Sequence, residues 1–171
     1  QRIDHDGDNF TDVPLQHRTS IFNKWNFKRK NNRVFILAGR IVTEDRFGGD
    51  LDWDEDLHRG GDEVYGESIY TDRWEIFGTY DLPMREHVVF QFSANGHEQN
   101  SVYGDTEYIA DQRVVFSQLV WDKEIAGAHS LLGGLTMRYT YYDDNTPATV
   151  TSDTVNPGNL PNHTYLPGIF L

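Results

Sequence analysis

The chain has 171 residues, no cysteine and a formal net charge of −12; it is long enough for one domain with its own core. The missing cysteines exclude disulfides and thiolate metal sites. The acidic balance argues against DNA or RNA as a partner, because a polyanion repels such a surface. Aromatic residues make up 13% of the chain and glycine is abundant, a β-rich composition. No apolar run approaches the length a membrane helix needs, but a barrel strand needs only about 9 to 11 residues and hides its apolar half by alternation.

In chain order, the first feature is DHDGDNFTD, Asp4 to Asp12. Asp4, Asp6 and Asp8 at alternating positions can converge on one hard cation. Gly7 permits the sharp turn, the Phe10 carbonyl can add an oxygen, and Asp12 can add another directly or through water. The closing glutamate of an EF-hand is absent, since Leu15 stands in its place, so a helix-loop-helix sensor is not expected. The alternative is a solvated acidic turn.

Six strands and the start of a seventh follow, with no convincing helix and no internal repeat. HRTSIFNKWNF alternates Ile21 and Trp25 with Lys24 and Asn26, and ends at the turn KRKNN. RVFILAGRIVTE sets Phe35, Leu37 and Ile41 against Ala38, Arg40 and Glu44. TDRWEIFGTYDLP sets Trp74, Ile76, Gly78, Tyr80 and Leu82 against Arg73, Glu75, Thr79 and Asp81. HVVFQFSANGHEQ sets Val88, Phe90, Phe92 and Ala94 against Gln91, Ser93, Asn95 and His97. In QRVVFSQLVW the face of Val115, Leu119 and Trp121 is assigned to the apolar side. SLLGGLTMRYTYY sets Leu131, Leu135, Met137, Tyr139 and Tyr141 against Thr136, Arg138 and Thr140. Period two fits each of them. Gln1 is not an initiator methionine and the final YLPGIFL reads as a strand opening, so the chain is expected to be an internal piece of a longer protein.

The connections read as short (KRKNN), long (about 45–68), short (PMREH), medium (about 98–110), short (DKEIAGAH) and long (143–164). In an up-and-down barrel every second connection lies at the same rim, and outer-membrane barrels have short periplasmic turns and long extracellular loops. Charge falls on one face of each strand. Trp25, Phe27, Tyr80 and Trp121 lie near short turns, and Tyr139 and Tyr141 near a long loop, as aromatic girdles at two interfaces require. The expected fold is therefore an all-β, antiparallel up-and-down transmembrane barrel segment, with residues 1–171 part of one barrel domain.

The stretches DHDGDNFTDVPLQHRTSIFNKWNFKRKNNR, GDEVYGESIYTDRWEIFGTYDLP and LTMRYTYYDDNTPA resemble the barrel of TonB-dependent outer-membrane receptors of the Bacteroidetes type. The resemblance spans essentially the whole chain. It implies a bacterial outer-membrane location and a 22-stranded barrel of which this chain is about a third. It further implies import of a scarce nutrient such as a ferric siderophore or cobalamin, and energy from a TonB complex that acts through regions this chain does not contain. The plug domain, the TonB box and the closing strands are not found in it. Outer-membrane lipid and a small nutrient ligand are the expected partners.

A second acidic stretch, DLDWDED, lies in the longest loop, where Asp50, Asp52 and Asp54 could hold a second calcium. From Thr43 to Arg73 eleven Asp or Glu face three Arg, a net of −8, and a solvated loop is the alternative. Family members are known to stabilise such loops with calcium, and the acidity favours a neutral or cationic cargo. Trp53, Tyr65, Tyr70, Tyr103 and Tyr108 in or beside the long loops could stack on a ligand, and His97 at the loop end of strand four could contact one. No catalytic carboxylate pair, Ser-His-Asp set or zinc spacing stands out, so no enzyme is expected. A secreted calcium-dependent carbohydrate-binding β-sandwich and a passive porin are the competing readings.

Overall fold

The computed structural model describes residues 3–127, 129–150 and 158–171. Seven strands form one antiparallel sheet in chain order: β1 (Leu15–Asn26), β2 (Phe35–Gly49), β3 (Gly66–Asp81), β4 (His87–Tyr103), β5 (Thr106–Ile125), β6 (His129–Asp144) and β7 (Asn162–Phe170). A single-turn helix, α1 (Glu55–His58), interrupts the β2–β3 loop. The sheet is open, with β1 and β7 as its two edges.

The register turns the alternation of each strand into continuous rows. Trp25, Leu37, Gly78, Phe92, Ser117, Met137 and Pro167 stand opposite one another in sequence across all seven strands. One rung from the other side of the band, Ile41, Trp74, Gly96, Arg113, Tyr141 and His163 form another such row. Between this row and that of Val88, Trp121 and Gly133, the stretches 74–82, 88–96, 113–121 and 133–141 each span nine residues. On the face carrying Trp74, Arg113 is the only charged residue of these stretches. It lies in the outermost row, 2.7 Å from Asp111 and over the Tyr141 ring. The side chains here are open to the surroundings: Ile41 is 61% exposed, Leu135 56% and Ile169 82%.

The opposite face is polar and cross-linked. Glu75 receives both Arg40 (2.8 Å) and Arg73 (2.7 Å), and Glu44 receives Arg46 (2.7 Å). Of these, Arg40–Glu75 joins facing strands and so holds register as well as charge. All the strand faces assigned from the sequence are found as assigned, including that of Val115, Leu119 and Trp121.

One connection differs from expectation. The medium loop read over 98–110 is strand: β4 and β5 stay paired to Tyr103 and Thr106 and turn through Gly104 and Asp105. Glu98, Gln99, Asn100 and Ser101 lie beyond the apolar band, where neither face needs to be greasy, so period two disappears from the sequence while the backbone ladder continues. The rim is tall here because the strands protrude.

Several of the best-buried side chains cluster where the loops fold over the ends of the strands, while Ala38, fully buried, lies within the sheet. Val102, Ser101, Ser68 and Trp53 are all buried at the strand ends. Trp53 is 4% exposed and packs on Gly66, where an added Cβ would lie 2.3 Å from the indole. Gly66→Ala should therefore expel Trp53 and destabilise the rim by about 1–3 kcal/mol, the usual cost of overpacking. A red-shifted tryptophan emission and faster proteolysis within 50–65 would report it, and unchanged emission would count against this packing.

Candidate functional site

The N-terminal acidic loop is folded by its own carboxylates. Gly7 takes φ +76° and Asn9 φ 68°, left-handed conformations that glycine and asparagine tolerate best. Asp4 accepts from the N–H groups of Gly7 (2.7 Å) and Asn9 (3.1 Å). Asp6 accepts from Asp8 N–H (3.3 Å) and Asp8 from Phe10 N–H (2.8 Å). These turns bring carboxylate oxygens of Asp4, Asp6 and Asp8 within 4.8 Å of one another. Among the described residues this is the only such convergence of three potential metal ligands. The Asp8 N–H lowers the Asp6 pKa, but repulsion from Asp8, Asp12 and Asp4 together with desolvation outweighs it, and the carboxyl is held above its ordinary value. A cation would relieve that repulsion.

Asp12 stands outside this group. Its Oδ2 accepts from the backbone N–H (2.7 Å) and pairs with the ring Nδ1 (2.9 Å) of His5. These contacts, the backbone N–H first, hold its carboxyl below the ordinary value. Phe10 stacks on Tyr65 with ring centroids 5.9 Å apart. Its backbone bridges to Asp50, flanked by Leu51 N–H to Asn9 O and Thr11 N–H to Gly49 O, both 2.9 Å.

The second acidic stretch is used differently. Asp50 accepts from the Asn9 side chain and from Asp52 N–H, both 2.9 Å. Asp54 caps α1 by accepting from Asp56 N–H (3.0 Å), a local use of aspartate that helix N-termini favour. Asp50 and Asp54 therefore organise the loop, and with Asp52 they do not form a converging group among the described residues.

Of the six side chains expected to touch a ligand, Trp53, Tyr65, Tyr103 and His97 are not gathered in one place. Trp53 is part of the rim core. Tyr65 is 47% exposed and donates to Glu67 (2.6 Å), and its ring lies against Gly104, next to Tyr103. His97 belongs to the ladder of β4 rather than a loop end, opposite Arg73 and Gln112 on the polar face.

Two arrangements at this rim escape sequence reasoning, the first because it joins local contacts of Asp144 to a tyrosine of another strand, the second because it arises from register. In the first, Tyr108 and Tyr142 share a hydrogen bond (2.9 Å), Tyr142 donates to Asp144 (2.7 Å), and Asp144 also accepts from Thr146 N–H (3.0 Å) and the Thr149 hydroxyl (2.9 Å). The second is a cavity of about 730 Å³ floored by a row of carboxylates. No protein-family model, curated protein or solved structure matches the chain.

The Asp144 anchor has a pH signature. The Tyr142 hydroxyl first, then Thr146 and Thr149, pull its carboxyl from an ordinary 3.8 to about 2. A carboxyl with a depressed folded-state pKa contributes stability above its unfolded value and loses it as pH falls through the folded one. Hydrogen-exchange protection at Thr146 should hold down to about pH 4 and fade towards about pH 2. Asp144→Asn should lose this dependence; persistence of the same transition in the variant would assign it elsewhere.

Proposed function

We propose that the chain is a segment of an outer-membrane β-barrel whose Trp74 face meets lipid. The observation that carries this reading is the nine-residue band on β3 to β6, exposed, apolar and crossed by Arg113 alone at its edge. A tilted barrel strand needs about 9 to 11 residues to span the hydrocarbon. Acids border the band on one side at Asp72, Glu98, Asp111 and Asp143, and Glu86 with Lys123 (3.2 Å) on the other. In water such a continuous patch is an aggregation liability; in hydrocarbon it is the required surface, and the inter-strand ladder satisfies the backbone. A secreted sandwich would cover this face with a second sheet, whereas all seven strands belong to one sheet.

Within that reading the chain serves an active TonB-dependent transporter that imports a scarce nutrient such as a ferric siderophore or a corrinoid. This assignment rests on the resemblance of the three stretches quoted above. The long-loop rim is then extracellular, where calcium is abundant and weak sites suffice. Asp4, Asp6 and Asp8 hold the ion, the Phe10 carbonyl is available as a further oxygen, and Asp12 joins only on release from His5.

Two experiments test the two levels separately. Ile76→Arg, in the middle of the band, should cost about 2–4 kcal/mol in a refolding titration of the full-length barrel, while Thr79→Arg on the polar face should cost little. Equal penalties would overturn the membrane face. Calcium should slow proteolysis of 4–12 and chelation should restore it, with Asp6→Ala behaving as the chelated wild type. If calcium leaves the cleavage rate of the wild type unchanged, the loop is only a solvated acidic turn.

A further inference from the structure

Charge is segregated along the chain. In a sequence of net charge −12, residues 13–43 contain seven Lys or Arg and no Asp or Glu. Four of these, Lys28, Arg29, Lys30 and Arg33, fall within six positions at the β1–β2 turn, which bends through left-handed Asn31 (φ 60°) and Asn32 (φ 54°). None of the four has an ion-pair partner among the described residues. Arg29 donates to the carbonyls of Asp81 (2.6 Å) and Val34 (3.3 Å), and Arg33 to that of Met84 (2.9 Å). A carbonyl fixes a guanidinium in place but leaves its charge uncompensated. Lys28 and Lys30 are exposed. The nearby acids are occupied: Asp81 accepts from Val34 N–H (2.7 Å), and Glu86 pairs with Lys123 (3.2 Å).

The basic turn is continuous with the aromatic edge of the apolar band. Phe27 stacks on Phe35 with ring centroids 4.4 Å apart, Phe35 meets Tyr80 edge-on at 5.4 Å, and the Arg29 guanidinium lies 4.0 Å over the Tyr80 ring. Trp25 and Leu37, paired across β1 and β2, carry the same face into the band. Aromatic rings favour the boundary between hydrocarbon and headgroups, and basic side chains just beyond it attract anionic lipid.

We infer that the β1–β2 turn binds the headgroups of anionic phospholipids, with Lys28 and Lys30 towards the phosphate and the acyl chain along Trp25 and Leu37. The inference rests on the reading of the Trp74 face as lipid-facing. A water-soluble polyanion would use the lysines alone, whereas a phospholipid carries both a phosphate for the turn and hydrocarbon for the rings beside it. A zwitterionic headgroup brings its own cation against four uncompensated positive charges; an anionic one does not. Nucleic acid is disfavoured by the acidity of the rest of the chain.

The test uses the full-length protein in phosphatidylcholine vesicles containing a small fraction of lipid with brominated acyl chains, which quench a tryptophan they touch. The Trp25 signal is taken as the difference between the wild type and Trp25→Phe. Brominated phosphatidylglycerol should quench it at least about twofold more strongly than brominated phosphatidylcholine, a preference that added salt reduces. Lys28→Gln/Lys30→Gln should abolish the preference and Lys28→Arg/Lys30→Arg should keep it. Arg138→Gln, on the polar face, should leave it unchanged. Equal quenching by the two lipids in the wild type would overturn this proposal and leave the lipid-facing band standing, whereas no quenching by either would overturn both. Equal loss in Arg138→Gln and Lys28→Gln/Lys30→Gln would also overturn it, by showing diffuse attraction and no site at the turn.

Discussion

Backbone hydrogen bonding within one continuous sheet is the constraint on which the rest of this structure depends. Each inner strand has both its edges paired, so N–H and C=O groups are satisfied without a second layer. That frees the side chains of the two faces to differ in character, one apolar along the band and one rich in charge. The burial pattern follows: side chains of the Trp74 face lie largely open along the band, and much of the close packing among the described residues lies at the rim, where loops return over the strand ends, with Ala38 and Val42 buried within the sheet. Arg40, Glu75 and Arg73 on the polar face show the complement, since a charge network of this kind is compatible with a wet or polar neighbour and would be costly against hydrocarbon.

Much of this was legible in the residues. Period two placed Trp74, Ile76, Tyr80, Phe90, Phe92, Leu119 and Met137 on one face because most residues between them are polar or small, Phe77, Val89, Phe116 and Val120 being the exceptions, and the pairing of β1 to β7 keeps those residues on one face. The signal ends where the surroundings change. Beyond the band both faces of β4 and β5 carry polar residues, and a paired stretch such as 98–103 then reads like a loop. Trp53 was misleading for the opposite reason: a tryptophan among acids suggests a ligand platform, but Gly66, thirteen positions later, leaves the indole a bed against the sheet.

The acidic residues show how little composition says about role. Asp54 and Asp144 are structural acceptors for backbone or hydroxyl groups, Asp12 is occupied by His5, and Asp4, Asp6 and Asp8 crowd one another. Spacing in the sequence suggested Asp50, Asp52 and Asp54 as readily as Asp4, Asp6 and Asp8, since both sets alternate. What separates them is backbone: left-handed residues at Gly7 and Asn9 curl one stretch upon itself, while α1 draws the other out along a helix start. The row of Asp72, Glu98, Asp111 and Asp143 could not be found from any single stretch, because its members come from four strands and meet only through register.

The contact between Asn9 and Asp50 joins groups 41 residues apart. With Leu51 N–H on Asn9 O and the Phe10–Tyr65 stack, it fastens the N-terminal loop to the β2–β3 loop across the end of β1. Two segments that look independent along the chain are therefore coupled, in the way partial unfolding follows contiguous packed pieces rather than sequence. An ion that rigidified residues 4–9 would for the same reason also steady Trp53 and α1, which it never touches.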